Sequence, residues 1–301
     1  MSMQAVRDFI NRSYPQAMGV TALAAALDAQ ASNAPLDPAI AARIAELLAA
    51  LGLDAATLAG VGAHDAAALA IELRHLIRFD ATLLEPRTRA TSWSYDDDRL
   101  LLDFGAFGRL HGTLLSQRLV PALEGMDARL ASPGAAFLDI GVGAGGLAIA
   151  MAELHPSLHV TGIDVFAPSL RLAREAVARS SLGERVSLRE QGAEDLEDRG
   201  AFDLAWMPTA FMAERAIPAA VVRTREALRP GGWLVLAHPN LAAPDAIALA
   251  SWRLRTTMFG GPLWTPPQLE ALLRDHGFGD VRAIAPPGAP VVFVVGRRAL
   301  T

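Results

Sequence analysis

Ten consecutive residues carry the densest chemical signal in this chain: Phe137-Leu138-Asp139-Ile140-Gly141-Val142-Gly143-Ala144-Gly145-Gly146. An apolar stretch suited to a strand runs into four glycines within six residues and then into helix-forming residues. Glycines at such a junction let the main chain approach a ligand closely and aim the first N–H groups of the helix at it. A second apolar stretch ends in Gly162-Ile163-Asp164. A carboxylate there is positioned to accept hydrogen bonds from both hydroxyls of a ribose. The chemistry is that of a nucleoside-bearing cofactor. Gly141, Gly143 and Gly146 also satisfy G-x-G-x-x-G, so a nicotinamide-dependent dehydrogenase stays open on these residues alone.

Proton transfer near neutrality is the work of histidine. His238 ends an expected strand at the carboxyl edge of the sheet, where open α/β proteins bind ligands, and His111 lies near the junction with the preceding helices. These two are the candidate general bases. Trp93, Tyr95, Phe211, Trp252, Phe259 and Trp264 fall in three segments expected to roof the cleft, and they predict an apolar or aromatic acceptor. Asp96-Asp97-Asp98 reads as a helix start whose charge complements the helix dipole, and no metal is expected.

The composition closes off other chemistries. All 27 basic residues are Arg, since Lys never occurs, and Cys is absent too. Schiff-base or P-loop lysine chemistry, thiol nucleophiles, disulfides and Cys-ligated zinc are thereby excluded. Against 32 acidic residues the net charge is -5, which argues against nucleic acid as a partner. The most apolar window, residues 135–154, contains Asp139, Glu153 and the four glycines, so no membrane span is expected. Met1 to Ile10 holds Arg7 and Asp8 without an apolar core of the signal-peptide kind, and a cytoplasmic enzyme is expected.

Two kinds of pattern must position these residues. Up to about residue 109 the chain shows Ala-Leu periodicity at 21–29, 38–51, 65–79 and from Asp98 onward, predicting an all-α N-terminal domain over 1–109. Asp37-Pro38 caps one helix and Gly52 ends it. A polar, aromatic connection follows from Glu85 to Asp98, and a helix over 110–130 kinked near Pro121 is expected. Residues 110–301 then alternate strand and helix, with strands at 136–140, 159–164, 186–190, 202–207 and 233–238. Two last strands, at 281–285 and 291–296, are joined by Pro286-Pro287-Gly288, a turn too short for anything but antiparallel pairing. The expected fold is α/β: a Rossmann-like, doubly wound, seven-stranded sheet ending in an antiparallel hairpin.

Asp139 just ahead of the glycines, the acidic loop Gln191-Gly192-Ala193-Glu194-Asp195 and the turn Leu228-Arg229-Pro230-Gly231-Gly232 separate the readings. Together with the hairpin, they make residues 110–301 resemble the class I S-adenosylmethionine (SAM)-dependent methyltransferases. The resemblance implies that Asp139 and the main chain of Gly141, Gly143 and Gly145 hold the methionine part, Asp164 the ribose and Val165 the adenine face. Ala193 and Glu194 would meet the adenine edge, and Met207 would border the site. Family members usually open the third loop with Gly-Asp, where this chain has Gln191-Gly192. Met258-Phe259-Gly260-Gly261, Thr265, Leu269, Leu272 and Gly277-Phe278 are similar to the closing region of plant-type and acetylserotonin-type O-methyltransferases, which also carry a helical dimerisation domain first. Their catalytic His follows the fourth strand; here that stretch is Trp206-Met207-Pro208-Thr209-Ala210-Phe211.

The function this implies is methyl transfer from SAM to a small natural-product-like acceptor in secondary metabolism, with oxygen ahead of carbon or nitrogen. A homodimer is expected, with the helical domain closing the acceptor pocket. A SAM-binding protein with a non-methylating role is the alternative. Replacing Asp164 with Ala is expected to weaken cofactor binding while barely changing stability.

Overall fold

The computed structural model describes residues 3–85, 93–241, 245–285 and 291–300. The chain divides into two compact units, Met1–Thr82 and Leu83–Thr301.

The first unit is helical, with α1 (Met3–Ser32), α2 (Pro38–Ala50), α3 (Ala55–Ala59) and α4 (Ala63–Ala81). The Asp37 carboxylate accepts hydrogen bonds from the Ala39 and Ile40 N–H groups at 2.9 and 3.3 Å, and Pro38 opens α2, as expected. Gly52, at φ 88°, follows the end of α2 in the left-handed conformation that favours glycine. The helix expected at 21–29 is the inner end of the much longer α1. There Leu27 packs on Ala66 and Ala70 of α4, whereas the first half of α1 leaves its apolar side chains exposed. No described helix is long and apolar enough to cross a membrane.

The second unit is built on a seven-stranded sheet in the order β3-β2-β1-β4-β5-β7-β6. Its strands are β1 (Ala136–Ile140), β2 (His159–Asp164), β3 (Val186–Glu190), β4 (Phe202–Pro208), β5 (Leu228–Pro239), β6 (Gly279–Ile284) and β7 (Val291–Arg297). The first five are parallel, and β7 runs antiparallel to both β5 and β6. This is the doubly wound sheet with a reversed hairpin that the sequence predicts, although Pro286-Pro287-Gly288 lies outside the described residues. Alternating side chains divide between two cores. Phe137, Trp206, Trp233 and Val235 pack on residues 115–130 and α7 (Gly146–Leu154). Leu138, Met207, Leu236 and Val294 pack on α9 (Ile217–Ala227) and α11 (Pro266–Asp275). Between them in sequence lie α8 (Ala167–Arg179) and α10 (Ala246–Phe259).

Three expectations need correction. The expected boundary at 109/110 falls inside α5 (Asp98–Leu114), and the two units meet at Thr82/Leu83 instead. α5 belongs to the α/β unit because it lies backbone-close on α7: a Cβ on Gly146 would come 1.8 Å from the Gly105 carbonyl oxygen, and one on Gly112 would come 2.7 Å from Ala150 Cβ. Trp93 and Tyr95 therefore belong to the α/β unit as well. The helix expected over 110–130 is broken, not kinked: α5 passes through a π turn at 115–119 and a 3-10 turn around Pro121, and α6 (Met126–Ala131) starts afresh after Gly125 at φ 71°. The fifth strand begins at Leu228, ahead of the expected Trp233, since the Gly231 N–H is tied to the Arg298 carbonyl at 3.0 Å.

The amino edge of the sheet is clamped by one acid. The Asp203 side chain, only 5% exposed, accepts from Arg229 Nη1 at 2.6 Å and Arg129 Nη2 at 3.0 Å. It also accepts from the Ala136 N–H at 2.9 Å. The clamp joins the starts of β1, β4 and β5 to α6.

Candidate functional site

The β1–α7 turn is shaped by three glycines in the left-handed region, Gly141 at φ 69°, Gly143 at 55° and Gly145 at 85°, where a side chain would be strained. Gly141 and Val142 donate their N–H groups to the Ile163 carbonyl at 2.8 and 3.0 Å, fastening the turn to β2. Asp164 closes the arrangement, with Oδ2 accepting from the Gly143 N–H at 2.8 Å and Oδ1 from the Phe166 N–H at 2.9 Å. Gly146 has a different task, the close packing of α5 described above.

Asp139 is 1% exposed, and its Oδ2 has no hydrogen-bond partner. Burial pushes its carboxyl well above the usual range, the neighbouring Asp164 adds to this, and the Ala148 N–H opposes it. Burial also raises the Asp164 carboxyl, against the N–H groups of Phe166, Gly143 and Val165. Among the described residues, no Arg or His forms an ion pair with either acid. Two adjacent buried carboxyls with no ion-pair partner among the described residues favour a positively charged ligand over an anionic one. SAM, with an ammonium and a sulfonium, fits this donor set; the anionic pyrophosphate of a nicotinamide dinucleotide does not.

The other expected cofactor residues are placed unevenly. Val165 stands beside Asp164 with 70% of its surface exposed, an open apolar platform. The third loop is tied to β2 by the Gln191 N–H, which donates to the Asp164 carbonyl at 3.0 Å. Ala193 is buried there and Glu194 exposed. Met207 is fully buried in the core facing α9 and α11, so its side chain does not border the glycine turn as expected.

Trp93 is the hub of an aromatic cluster. Its ring centroid lies 5.2 Å from Tyr95, 4.9 Å from Phe104, 5.5 Å from Phe211, 6.4 Å from Phe259 and 6.5 Å from Phe166. Phe211 and Phe259 pack at 4.3 Å, and the Tyr95 hydroxyl donates to the Met258 carbonyl at 3.4 Å. Trp93 and Phe166 also pack with Ala144, setting the cluster on the glycine turn. Sequence reasoning missed Phe104 and Phe166. Their signals were present, since Phe166 follows Asp164 by two positions and Phe104 precedes Gly105 on α5. Trp252 and Trp264 lie apart from the cluster in ring contacts among the described residues. Trp252 lies under the Arg255 guanidinium at 5.3 Å, and the Trp264 indole N–H donates to Glu214 at 3.1 Å on the α9 and α11 side.

The two histidines occupy opposite faces of the sheet. His111 is half-buried against Phe107 and Trp206, at ring distances of 4.5 and 5.9 Å. Burial lowers its pKa to about 4, against the Phe107 carbonyl. Ala237 shares the Trp206 face, so His238, the next residue in β5, points the other way. His238 is 1% exposed, with Nδ1 2.9 Å from Thr209 Oγ1. Burial lowers its pKa to about 4 as well, against a smaller pull from the Trp264 backbone. The sheet thus keeps the two candidate bases from acting as a pair. Thr209, the first residue after β4, was not singled out from sequence because nothing local links it to β5.

A family model described as a methyltransferase domain matches residues 137–232. The ubiquinone biosynthesis O-methyltransferase of Xanthomonas campestris pv. campestris (strain B100) is 39% identical over 131 residues, covering 42% of this chain and 52% of that protein. The chain thus spans about half the length of the curated relatives it matches. Among solved structures, the SAM-dependent methyltransferase SibL superimposes with a TM-score of 0.67 at 19% identity, covering 99% of each chain. Human N-acetylserotonin methyltransferase in complex with SAM does so with a TM-score of 0.65 at 18% identity, also over 99% of each chain. Residues 137–232 thus match a methyltransferase-domain model, and the chain shares its fold with SibL and human N-acetylserotonin methyltransferase.

Proposed function

We propose that this protein transfers the methyl group of SAM to an oxygen of a small apolar or aromatic molecule of natural-product type, in the cytoplasm and in secondary metabolism. The observation that carries this reading is a buried acid pair, without an ion-pair partner among the described residues, on the same glycine turn against which Trp93 and Phe166 pack. The printed names of the relatives, O-methyltransferases of ubiquinone biosynthesis, favour oxygen over carbon or nitrogen.

When bound, SAM supplies a methyl carbon already activated by the sulfonium. The chain itself has to bind, orient and exclude water. In this reading Asp139 and the main chain of Gly141, Gly143 and Gly145 hold the cationic amino-acid end, and Asp164 accepts from the ribose hydroxyls. Val165 covers the adenine, with Ala193 and Glu194 at its edge. Trp93, Tyr95, Phe211 and Phe259, joined by Phe104 and Phe166, hold the acceptor. Displacement at an activated carbon depends chiefly on alignment and on a desolvated nucleophile, which rings of this kind provide.

Titration calorimetry should show binding of SAM and of its demethylated product, with none of NAD or NADP. With a panel of phenols and SAM, mass spectrometry should show methylated product. Binding of NAD without SAM sinks the assignment. SAM binding without product from any oxygen, nitrogen or carbon acceptor supports the non-methylating alternative.

We also propose a homodimer formed through the helical unit. Met3, Val6, Ile10, Tyr14 and Met18 form an exposed apolar stripe on α1 at helical spacing. Nearby, Met18, Ala22, Ile40, Ile44 and Leu47 line an apolar groove of about 370 Å³ between α1 and α2. A contiguous stripe of this kind marks an association surface. Sedimentation equilibrium should give a dimer at micromolar concentration and a folded monomer for the double variant Ile10→Glu, Tyr14→Glu. A monomeric parent protein would exclude the dimer.

A further inference from the structure

Trp93 stands inside a box of five other rings. Phe104, Tyr95 and Phe211 meet it at centroid distances of 4.9, 5.2 and 5.5 Å and at interplanar angles of 85°, 71° and 77°, the edge-to-face geometry of rings in direct contact. Phe259 and Phe166 complete the box at 6.4 and 6.5 Å. The walls also touch one another, since Phe211 lies 4.3 Å from Phe259 and 5.9 Å from Phe104. A flat ring slid between two others needs their planes about 7 Å apart, twice the closest carbon–carbon contact of about 3.5 Å. Distances as short as these leave no slot between the indole and its nearest neighbours. An aromatic molecule enters this box by taking the space of the indole itself.

The box differs from a sealed core. Trp93, Phe104 and Phe166 are half-buried, and Phe211 is 37% exposed. Four of the walls sit on or at the ends of regular elements: Phe104 on α5, Phe166 as the N-cap of α8, Phe211 in the 3-10 turn Thr209–Phe211 and Phe259 as the last residue of α10. Trp93 does not, because residues 93–97 form neither helix nor strand. Within that stretch the Tyr95 hydroxyl donates to the Met258 carbonyl at 3.4 Å, and the Asp97 carboxylate accepts from the Leu100 N–H at 2.9 Å. Tyr95 and Asp97 are thus tied to α10 and α5, so the Trp93 side chain can turn out of the box while its walls stay in place.

We propose that Trp93 is an intramolecular competitor of the acceptor: its indole and a flat, uncharged aromatic ring system of the acceptor occupy the same five-walled box by turns. This rests on the methyl-transfer reading above and refines it. Of the rings placed around the acceptor, Tyr95, Phe104, Phe166, Phe211 and Phe259 are the walls, and Trp93 is the group that the acceptor displaces. Turning the indole outward exposes apolar surface and gives up its edge-to-face contacts. A flat aromatic ring remakes those contacts with the same walls and offsets the loss. An aliphatic alcohol restores the burial without the ring geometry, and a charged group adds a desolvation cost. The walls therefore choose the acceptor, whereas Trp93 weakens the binding of every acceptor by one common factor, the inverse of the fraction of time that the box is open.

Fluorine-19 NMR of the full chain labelled with 5-fluorotryptophan, with the Trp93 signal assigned through Trp93→Phe, tests the displacement directly with 2-naphthol as the probe. The expected result is that 2-naphthol moves the Trp93 signal and gives it the H2O–D2O isotope shift of an exposed indole, while the other Trp signals stay in place. Calorimetry should show 1-naphthol and 2-naphthol each binding about tenfold tighter to Trp93→Ala than to the parent, because a competitor that fills the box about nine-tenths of the time scales both ligands alike. Trp93→Phe should fall between the two. Naphthol that binds the parent with the Trp93 signal unmoved, or that binds the variants no more tightly than the parent, overturns the proposal and makes Trp93 a wall. Naphthol that binds neither the parent nor either variant overturns it as well. Displacement of Trp93 without methylated product from naphthol and SAM leaves the competition standing and counts against the methyl-transfer reading alone.

Discussion

Replacing Asp203 with Ala should destabilise the α/β unit by about 3 kcal/mol, a large share of the stability of one folded domain. The carboxylate is buried where β4 begins and meets two guanidinium groups and the Ala136 N–H. Removing it leaves Arg129 and Arg229 facing each other without a counter-charge and deprives the first residue of β1 of its acceptor. Because both arginines are about one-third exposed, solvent screens part of the loss, which places the effect at the lower end for a broken buried pair. Asn at this position keeps an acceptor for Ala136 and should cost roughly half as much. Urea unfolding measures both. A loss below about 1 kcal/mol for the Ala variant would mean that the clamp is ornamental.

Asp164→Ala should weaken SAM binding by about 1.5–3 kcal/mol, about ten- to a hundredfold, through the loss of hydrogen bonds to a charged group. The sequence alone predicts that the cofactor-free protein would keep its stability, and the structure revises this. The same carboxylate caps the N–H groups of Gly143 and Phe166, so Ala leaves both without an acceptor and should lower stability by about 1–3 kcal/mol. pH adds an independent sign. Asp139 and Asp164 hold protons more tightly folded than unfolded. Their effect on stability therefore declines as pH rises from the ordinary carboxylate range, about 4, through their raised native values, and is constant above them. A bound cation offsets the loss, so SAM should raise Tm more at neutral pH than at mildly acidic pH. Calorimetry and Tm measured against pH decide both points. Parent-like SAM affinity in Asp164→Ala would put the ribose elsewhere.

The parts of this protein legible in its residues are those whose causes lie along the chain. β1, β2 and β3 begin and end where the apolar runs do, because the Asp and Gly residues that interrupt those runs are covalent neighbours. Asp37-Pro38 caps α2 for the same reason, and the spacing from Asp139 to Gly145 is enough to specify a turn that approaches a ligand. The reversed hairpin followed from the number of residues available to connect two strands. Pairing and sidedness are of another kind. Met207 and Trp206 are adjacent in sequence, yet they enter different cores once β4 is flanked by β1 and β5. His238 and His111 look equivalent as residue types until the sheet comes between them. Gly146 completes a ligand-binding motif in the sequence, but contact with Gly105, forty-one positions earlier, makes it a packing residue in the fold. Phe104 and Phe166 become part of the aromatic cluster only because α5 crosses α7 at backbone distance. Thr209 finds His238 because β4 and β5 end side by side. Local turns and caps are set by dihedral preference and nearest-neighbour hydrogen bonds, whereas these long-range contacts exist only after the strands have paired and the helices have chosen a face.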